Sequence, residues 1–146
     1  LKSMAAKFGR NRELATALWN ENIRECKILA TFIMPPESMT EVLTSEWMKQ
    51  ICTQEMAEIA SLNLLQNING CERYVMKWIT STNEMERICA FLLIPRLLAK
   101  GWEPNERERE VITANSAEVT TSSNNYGLRR ASSNCMQRLS NDFNQY

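Results

Sequence analysis

The sequence predicts an all-helical fold, arranged as an α-solenoid of about four antiparallel helical hairpins. Apolar residues recur every three or four positions, the spacing that places side chains on one face of a helix. The alternation typical of half-buried strands is absent, and only four glycines and four prolines interrupt the 146 residues. These observations predict about eight helices of roughly 9 to 17 residues, joined by links short enough to make neighbours antiparallel. A four-helix bundle with extra helices is the competing architecture.

Seven apolar stripes with helical spacing follow one another along the chain. The first four are Leu14 and Leu18; Ile23, Cys26, Ala30 and Ile33; Leu43, Trp47 and Ile51; and Met56, Ala60 and Leu64. The last three are Tyr74 and Trp78; Met85, Cys89 and Leu92; and Leu128, Ala131, Cys135 and Leu139. Each stripe predicts a helix that buries one face.

Particular residues predict where several of these helices begin and end. The pair Pro35-Pro36 must end a helix, because proline lacks the amide donor and restricts the residue before it. Thr53 and Asn83 can each begin a helix by accepting a hydrogen bond from an amide of its first turn. Pro95 falls inside an apolar helical run, which predicts a kink or an early stop.

We expect residues 1–146 to form a single helical-repeat domain, because this length suits one domain of ordinary size. The segment near residues 113–127 is polar and rich in Ser, Thr and Asn. It predicts a weak helix, a loop around residues 122–125 and then a last helix, with a mobile connection between them. Because the chain begins with Leu1 rather than Met, we expect some native N-terminal sequence to be missing.

The charge balance and the absence of histidine restrict the function. Lys and Arg number 17, as do Asp and Glu, so the net charge is zero and DNA binding would need a local basic stripe. The chain has no histidine, which excludes histidine acid/base catalysis and most zinc sites. We expect no metal and no cofactor. No membrane span or signal peptide is evident, so we expect a cytoplasmic protein without a membrane partner.

Five cysteines and four tryptophans contribute to the expected core. The cysteines are odd in number and form no CxxC pair, which predicts buried, reduced thiols rather than disulfides. Three tryptophans, Trp19, Trp47 and Trp78, fall on apolar stripes and are predicted to be buried. Trp102, close to Gly101 and Pro104, is predicted to be partly exposed.

Residues 14–35, LATALWNENIRECKILATFIMP, resemble the DNA alkylation repair family, whose members are helical-repeat (HEAT-like) glycosylases that remove positively charged alkylated purines. The matching pattern is a helix pair that carries an ELW-type motif and ends at a proline. The segments SEWMKQI, MKWITS, ERICAFLL and NYGLRRASSNC follow in family-like order. The resemblance covers most of residues 12–139.

The resemblance implies a carboxylate that stabilises the sugar cation, aromatic faces that complement the cationic base, and arginines that hold phosphates. The family's Trp-x-x-x-Asp pattern falls on Gln54 and Glu58, which a four-residue spacing places on one helix face. Its later aromatic falls on Asn134. The three positions implied to be catalytic are therefore Glu58, Gln54 and Asn134, with both aromatics replaced by amides and the aspartate by a longer acid.

Four arginines are the expected phosphate contacts: Arg87, Arg129, Arg130 and Arg138. We therefore expect a DNA alkylation repair-like protein with weak or lost glycosylase activity that binds nucleic acid, with duplex DNA as partner. Two alternatives remain open. One is a scaffold that binds a protein partner on the concave face of the solenoid, and the other is an active alkylpurine glycosylase with a rearranged site.

Overall fold

The computed structural model describes the backbone of residues 1–144 and the side chains of residues 1–141. This part of the chain is all helical, as predicted, with nine α-helices, two short 3-10 helices and no strand. The α-helices are α1 Lys2–Phe8, α2 Arg12–Trp19, α3 Arg24–Ile33, α4 Glu41–Met48, α5 Gln54–Asn63, α6 Cys71–Trp78, α7 Glu84–Ala99, α8 Glu106–Ser122 and α9 Tyr126–Asn144. The 3-10 helices are Pro36–Ser38 and Leu65–Asn67.

Helix α1 has no counterpart among the predicted stripes. Its only buried side chain is Ala5, whereas its large apolar residues Met4 and Phe8 are exposed, as is Leu1 just before it. Leu1, Met4, Ala5 and Phe8 nevertheless follow the i, i+3, i+4, i+7 spacing of a helix face, so the pattern was present in the sequence and was not recognised. The other eight α-helices correspond to predicted elements.

The predicted helix starts are confirmed by their hydrogen bonds. The hydroxyl of Thr53 accepts a bond from the amide of Met56 over 3.1 Å, which begins α5. The side chain of Asn83 accepts bonds from two first-turn amides, which begins α7. Such caps satisfy donors that have no partner inside the helix. Helix α3 ends at Ile33, ahead of the Pro35-Pro36 pair, as predicted.

Helix α7 does not stop at Pro95, so the expectation of an early stop is wrong. The helix continues to Ala99. A proline inside a helix costs about 3 kcal/mol, since it removes one hydrogen bond and its ring clashes with the preceding turn. The side chains on both sides of it are buried, among them Phe91, Ile94 and Leu97. Burial of this apolar stretch outweighs the local penalty.

The chain divides into two compact units, of which the first spans Leu1–Asn69. In this unit α2 packs against α3, and α3 contacts both α1 and α5. The parallel indole rings of Trp19 and Trp47 stack with centroids 4.4 Å apart and join α2 to α4. Both rings are buried, as predicted for these tryptophans.

One cation, Lys27, ties three parts of the first unit together. Its ammonium lies 4.5 Å from the centre of the Trp19 ring and donates to the carbonyl oxygen of Trp19 over 2.5 Å. It also donates to Oε1 of Gln50 over 2.7 Å. Partial burial lowers the pKa of Lys27. The ammonium therefore joins α3 to the end of α2 and to the segment that follows α4.

The second unit begins at Gly70 and contains α6 to α9. Here α6 packs against α7, and α9 contacts both α7 and α8. A buried hydroxyl pair, Ser116 and Ser132, joins α8 to α9 over 2.6 Å. Helix α8 ends at Ser122 and α9 begins at Tyr126, so the predicted loop lies close to its expected position. The segment near residues 113–127 therefore consists of the end of α8, a short link and the start of α9.

The cysteine prediction is only partly confirmed. None of the five cysteines forms a disulfide, and Cys71, Cys89 and Cys135 are buried. Burial raises the pKa of Cys71 and of Cys135 to about 12. Cys52 is exposed and Cys26 is half-buried, so burial was wrongly predicted for Cys52. Cys52 precedes the cap of α5 and lies outside any helix, where helical spacing carries no information about burial.

Candidate functional site

Gln54 and Glu58, two of the three implied catalytic positions, lie on the first two turns of α5. Nε2 of Gln54 donates a hydrogen bond to Oε1 of Glu58 over 3.2 Å. Glu58 is exposed, whereas Gln54 is half-buried. The amide oxygen of Gln54 is buried and has no hydrogen-bond partner among the described residues. The four-residue spacing therefore correctly predicted that the two side chains share a helix face. There the amide of Gln54 donates to one of the two carboxylate oxygens of Glu58.

Glu55 lies between these two residues in sequence but has a structural role. The guanidinium of Arg24 on α3 donates to its two carboxylate oxygens over 2.6 and 3.0 Å. These hydrogen bonds lower the pKa of Glu55 and raise that of Arg24. The pair anchors the first turn of α5 to α3. Glu58 takes no part in this pairing, and its second carboxylate oxygen stays available to a ligand or to water.

Arg87, an expected phosphate contact, is engaged by the protein itself. Its Nη2 donates to the carboxylate of Glu118 on α8 over 2.6 Å, and its Nε donates to the carbonyl oxygen of Ile79 over 3.2 Å. Only 13% of its side chain is exposed. Arg87 thus links the end of α6, the start of α7 and the middle of α8. Its expected contact with phosphate stays a prediction.

Three of the four other predicted site residues in the second unit line one depression. An open depression of about 470 Å³, here called the α9 depression, contains two expected phosphate contacts and one implied catalytic position. Its lining residues are Thr120, Tyr126, Arg129, Arg130, Ser133, Asn134 and Gln137. No acidic side chain is among these lining residues, so two arginines give the depression a positive charge. Gln54 and Glu58 lie in the first unit, and Asn134 lies in the second.

The spacing along α9 explains why these side chains share a face. Tyr126, Arg130 and Asn134 follow at intervals of four residues, and Arg129, Ser133 and Gln137 repeat the interval. The opposite face of α9 is buried through its apolar stripe, namely Leu128, Ala131, Cys135 and Leu139. Because the buried stripe sets the rotation of the helix, the polar series must face outward into the depression.

Arg129 is held in place by the end of α8. Its Nη1 donates to the carbonyl oxygens of Thr120 and Ser123, over 2.8 and 3.1 Å. Carbonyls at the end of a helix lack partners within it, so a cation there is stabilising. A guanidinium has five N–H donors, and these bonds leave those on Nε and Nη2 for a ligand.

Arg130 and Arg138 differ from Arg129 in having no such anchor. Both are exposed, and within the described part of the chain neither forms a salt bridge or a side-chain hydrogen bond. Arg130 lines the α9 depression, whereas Arg138 lies outside it. Arg138 follows Gln137, the last lining residue, by one position and therefore projects about 100° further around the helix. Arg130 is therefore the arginine best placed to meet a ligand in the depression.

Sequence reasoning did not single out Tyr126. The residue begins α9, its side chain is 75% exposed, and it lines the α9 depression. The signal was present, because Tyr126 precedes Arg130 by four residues on the face that also carries Asn134. It was missed because the resemblance directs attention to position 134, where the family's aromatic is expected.

Neither a metal site nor a membrane helix emerges from the described residues. They contain no group of three or more Cys, Asp or Glu side chains placed to hold a metal ion. None of their helices has the length and apolarity that crossing a bilayer requires.

Comparison with known proteins agrees with the resemblance seen in the sequence. The family model described as DNA alkylation repair enzyme matches residues 1–140. No curated protein and no solved structure gives a significant match. The family match covers nearly the whole chain, including the Gln54–Glu58 pair and every residue that lines the α9 depression. This protein therefore belongs to the DNA alkylation repair enzyme family.

Proposed function

We propose that this protein is a helical-repeat member of its family that binds nucleic acid through the α9 depression and has weak or no glycosylase activity. The observation that carries the proposal is the meeting of Arg129, Arg130 and Asn134 in one depression without an acidic side chain. A chain with zero net charge needs such a local concentration of positive charge to hold phosphates.

The contacts within each unit support stacked helical hairpins of the HEAT-like kind. In the first unit α3 contacts α1 and α5, its neighbours but one, as well as α2. In the second unit α9 contacts α7 as well as α8. Contacts between alternate helices arise when consecutive hairpins stack, because each helix meets its equivalent in the next repeat. The proposed architecture is an α-solenoid built from such hairpins.

The implied catalytic positions support weak catalysis. Gln54 and Asn134 offer amides where the family pattern has aromatic faces, and an amide has no π face to complement a cationic base. Glu58 keeps the negative charge, but its side chain is one methylene longer than aspartate. Misplacing a catalytic group by about 1 Å can cost on the order of 10²-fold in rate. Glu58 therefore retains only part of the electrostatic stabilisation.

The cysteines support a reducing compartment, for which we propose the cytoplasm. None of the five is disulfide-bonded, and the exposed Cys52 would be open to oxidation elsewhere.

The binding proposal is tested by the salt dependence of DNA affinity in matched variants. Arg130→Ala removes the unanchored arginine of the depression, and Arg107→Ala removes an exposed arginine of α8 outside it. Loss of one phosphate contact reduces the slope of log affinity against log salt by about 0.9 for duplex DNA. We expect this change in Arg130→Ala and none in Arg107→Ala.

Two results would contradict the proposal. One is an absence of binding to any DNA at low salt, which would favour the alternative of a protein-binding scaffold. The other is an equal change of slope in the two variants, which would mean that the depression has no special part in binding. Arg129→Ala is a poorer probe, because the carbonyls at the end of α8 would lose their donor as well.

A further inference from the structure

Resting on the proposed function, we infer that the α9 depression takes an unstacked nucleotide of a single DNA strand. The ring of Tyr126 stacks on the base, and Arg130 holds the adjoining phosphate. The site then binds unpaired DNA in preference to duplex DNA, and Tyr126 is the residue that makes the difference.

The first step of the argument is the exposure of Tyr126. An aromatic side chain that is 75% exposed gains little from the protein core, so its ring is available to a ligand. Its backbone is nevertheless fixed, because the side chain of Asn125 accepts a hydrogen bond from the amide of Leu128 and so caps the first turn of α9. The ring is thus an exposed surface on a rigid support. Every base offers a face that can stack on such a ring.

The second step is the position of the cations relative to that ring. Arg130 follows Tyr126 by four residues on the same face of α9, which is about 6 Å along the helix axis. One nucleotide spans a comparable distance between its base and its phosphate. Arg129, fixed by the carbonyls of Thr120 and Ser123, adds a second positive charge at the same depression. A basic surface beside a stacking ring is the combination that single-strand binders use.

The third step concerns duplex DNA. Paired bases are stacked on each other, so a duplex presents phosphates to the depression but no base face to Tyr126. The arginines alone would serve both ligands, whereas the ring serves only the unpaired one. The amides of Asn134 and Gln137 line the same depression and can bond to the edge of an unstacked base. The depression therefore contains an aromatic ring, that of Tyr126, although position 134 carries an amide.

The test compares the affinities of a labelled oligothymidylate and of a duplex of the same length, measured by fluorescence anisotropy at low salt. Tyr126→Ala should weaken single-strand binding on the order of tenfold and leave duplex binding nearly unchanged. Tyr126→Phe keeps the ring and should bind like the wild type. Phe8→Ala is the matched control, because Phe8 is another exposed aromatic, 54% accessible, on α1 of the first unit. It should have no effect.

The outcomes separate this inference from the function on which it rests. Duplex binding that depends on Arg130 but shows no single-strand preference and no effect of Tyr126→Ala would overturn the inference and keep the proposed function. No binding to either DNA would overturn both. A third measurement, with oligouridylate, distinguishes binding of a DNA strand from binding of an RNA strand. Tighter binding of this RNA than of the DNA strand would overturn the assignment to DNA.

Discussion

The amide of Gln54 is bonded to the carboxylate of Glu58 across one turn of α5, with 3.2 Å between Nε2 and Oε1. The contact holds the acid in place without supplying an aromatic face. The bond joins the two side chains at the positions where the family's Trp-x-x-x-Asp pattern is expected to fall, and the amide oxygen of Gln54 is left without a partner among the described residues.

Release of 3-methyladenine or 7-methylguanine from methylated duplex DNA should consequently be slow or undetectable. Restoring the family pattern through Gln54→Trp, Glu58→Asp and Asn134→Trp together should raise the rate, by up to about 10²-fold if misplacement of the acid is the main defect. Glu58→Gln tests whether any release by the wild type depends on the carboxylate of Glu58. Rapid release by the wild type that collapses in Glu58→Gln would show an active enzyme. No rescue by the triple change would count against the mapping of these positions.

Replacing Lys27 should destabilise the first unit. Lys27→Ala removes two hydrogen bonds from a charged donor and a contact with the Trp19 ring. Such interactions are worth about 1.5–3 kcal/mol per charged hydrogen bond and about 0.5–2 kcal/mol for the ring, and they are not additive. We expect a loss on the order of 2 kcal/mol in the free energy of unfolding, measured by urea titration. Lys49→Ala is a control on a nearby exposed lysine, and an equal loss there would contradict this role of Lys27.

Replacing Arg87 should affect stability more than nucleic-acid binding. The side chain is mostly buried, and Arg87→Ala would leave both the Ile79 carbonyl and the Glu118 carboxylate without their donor. We expect a loss of roughly 1.5–3 kcal/mol in the free energy of unfolding. Glu118→Gln should cost less, because the Ile79 bond survives. If Arg87→Ala unfolds like the wild type but binds DNA more weakly, the expected phosphate contact is right and the structural role is wrong.

The Arg24–Glu55 pair predicts a contribution to stability that acid removes. The pKa of Glu55 is lower in the folded protein than in the unfolded chain, so the unfolded chain binds more protons between the two values. The contribution is therefore complete above the unfolded pKa and is lost as the pH falls through the folded pKa. Thermal unfolding of Glu55→Gln should show a lower midpoint than the wild type at neutral pH and convergence in acid. Because both side chains are about half exposed, 53% each, the difference should be small and should shrink in high salt. A difference that persists in acid would rule out this pair as its source.

Sequence patterns predicted those helices whose buried residues recur with helical spacing or whose first residue is capped by a neighbouring side chain. Thr53 acts on an amide three residues away, so its role could be recognised from sequence. Helix α1 was missed although Leu1, Met4, Ala5 and Phe8 follow helical spacing. The continuation of α7 past Pro95 depends on packing that no local pattern records.

Contacts between residues that are distant in sequence limit how much of the site could be predicted. Arg87 meets Glu118 across 31 positions, so its engagement could not be anticipated from the family pattern. The Gln54–Glu58 contact was foreseeable, because helical spacing alone brings the two together. Tyr126 could have been found by the same spacing argument, and its exposure is what the structure adds.

The stacked indoles of Trp19 and Trp47 give the first unit an optical signature of its own. Rings that are 4.4 Å apart and within 3° of parallel couple their electronic transitions, and the coupling produces circular dichroism to the extent that the two indoles are rotated relative to each other within their planes. The second unit contains Trp78 and Trp102, and the ring that stacks on Trp78 is that of Tyr74 rather than another indole. Loss of the exciton signal on heating would therefore report the melting of the first unit specifically, while total fluorescence would report all four tryptophans.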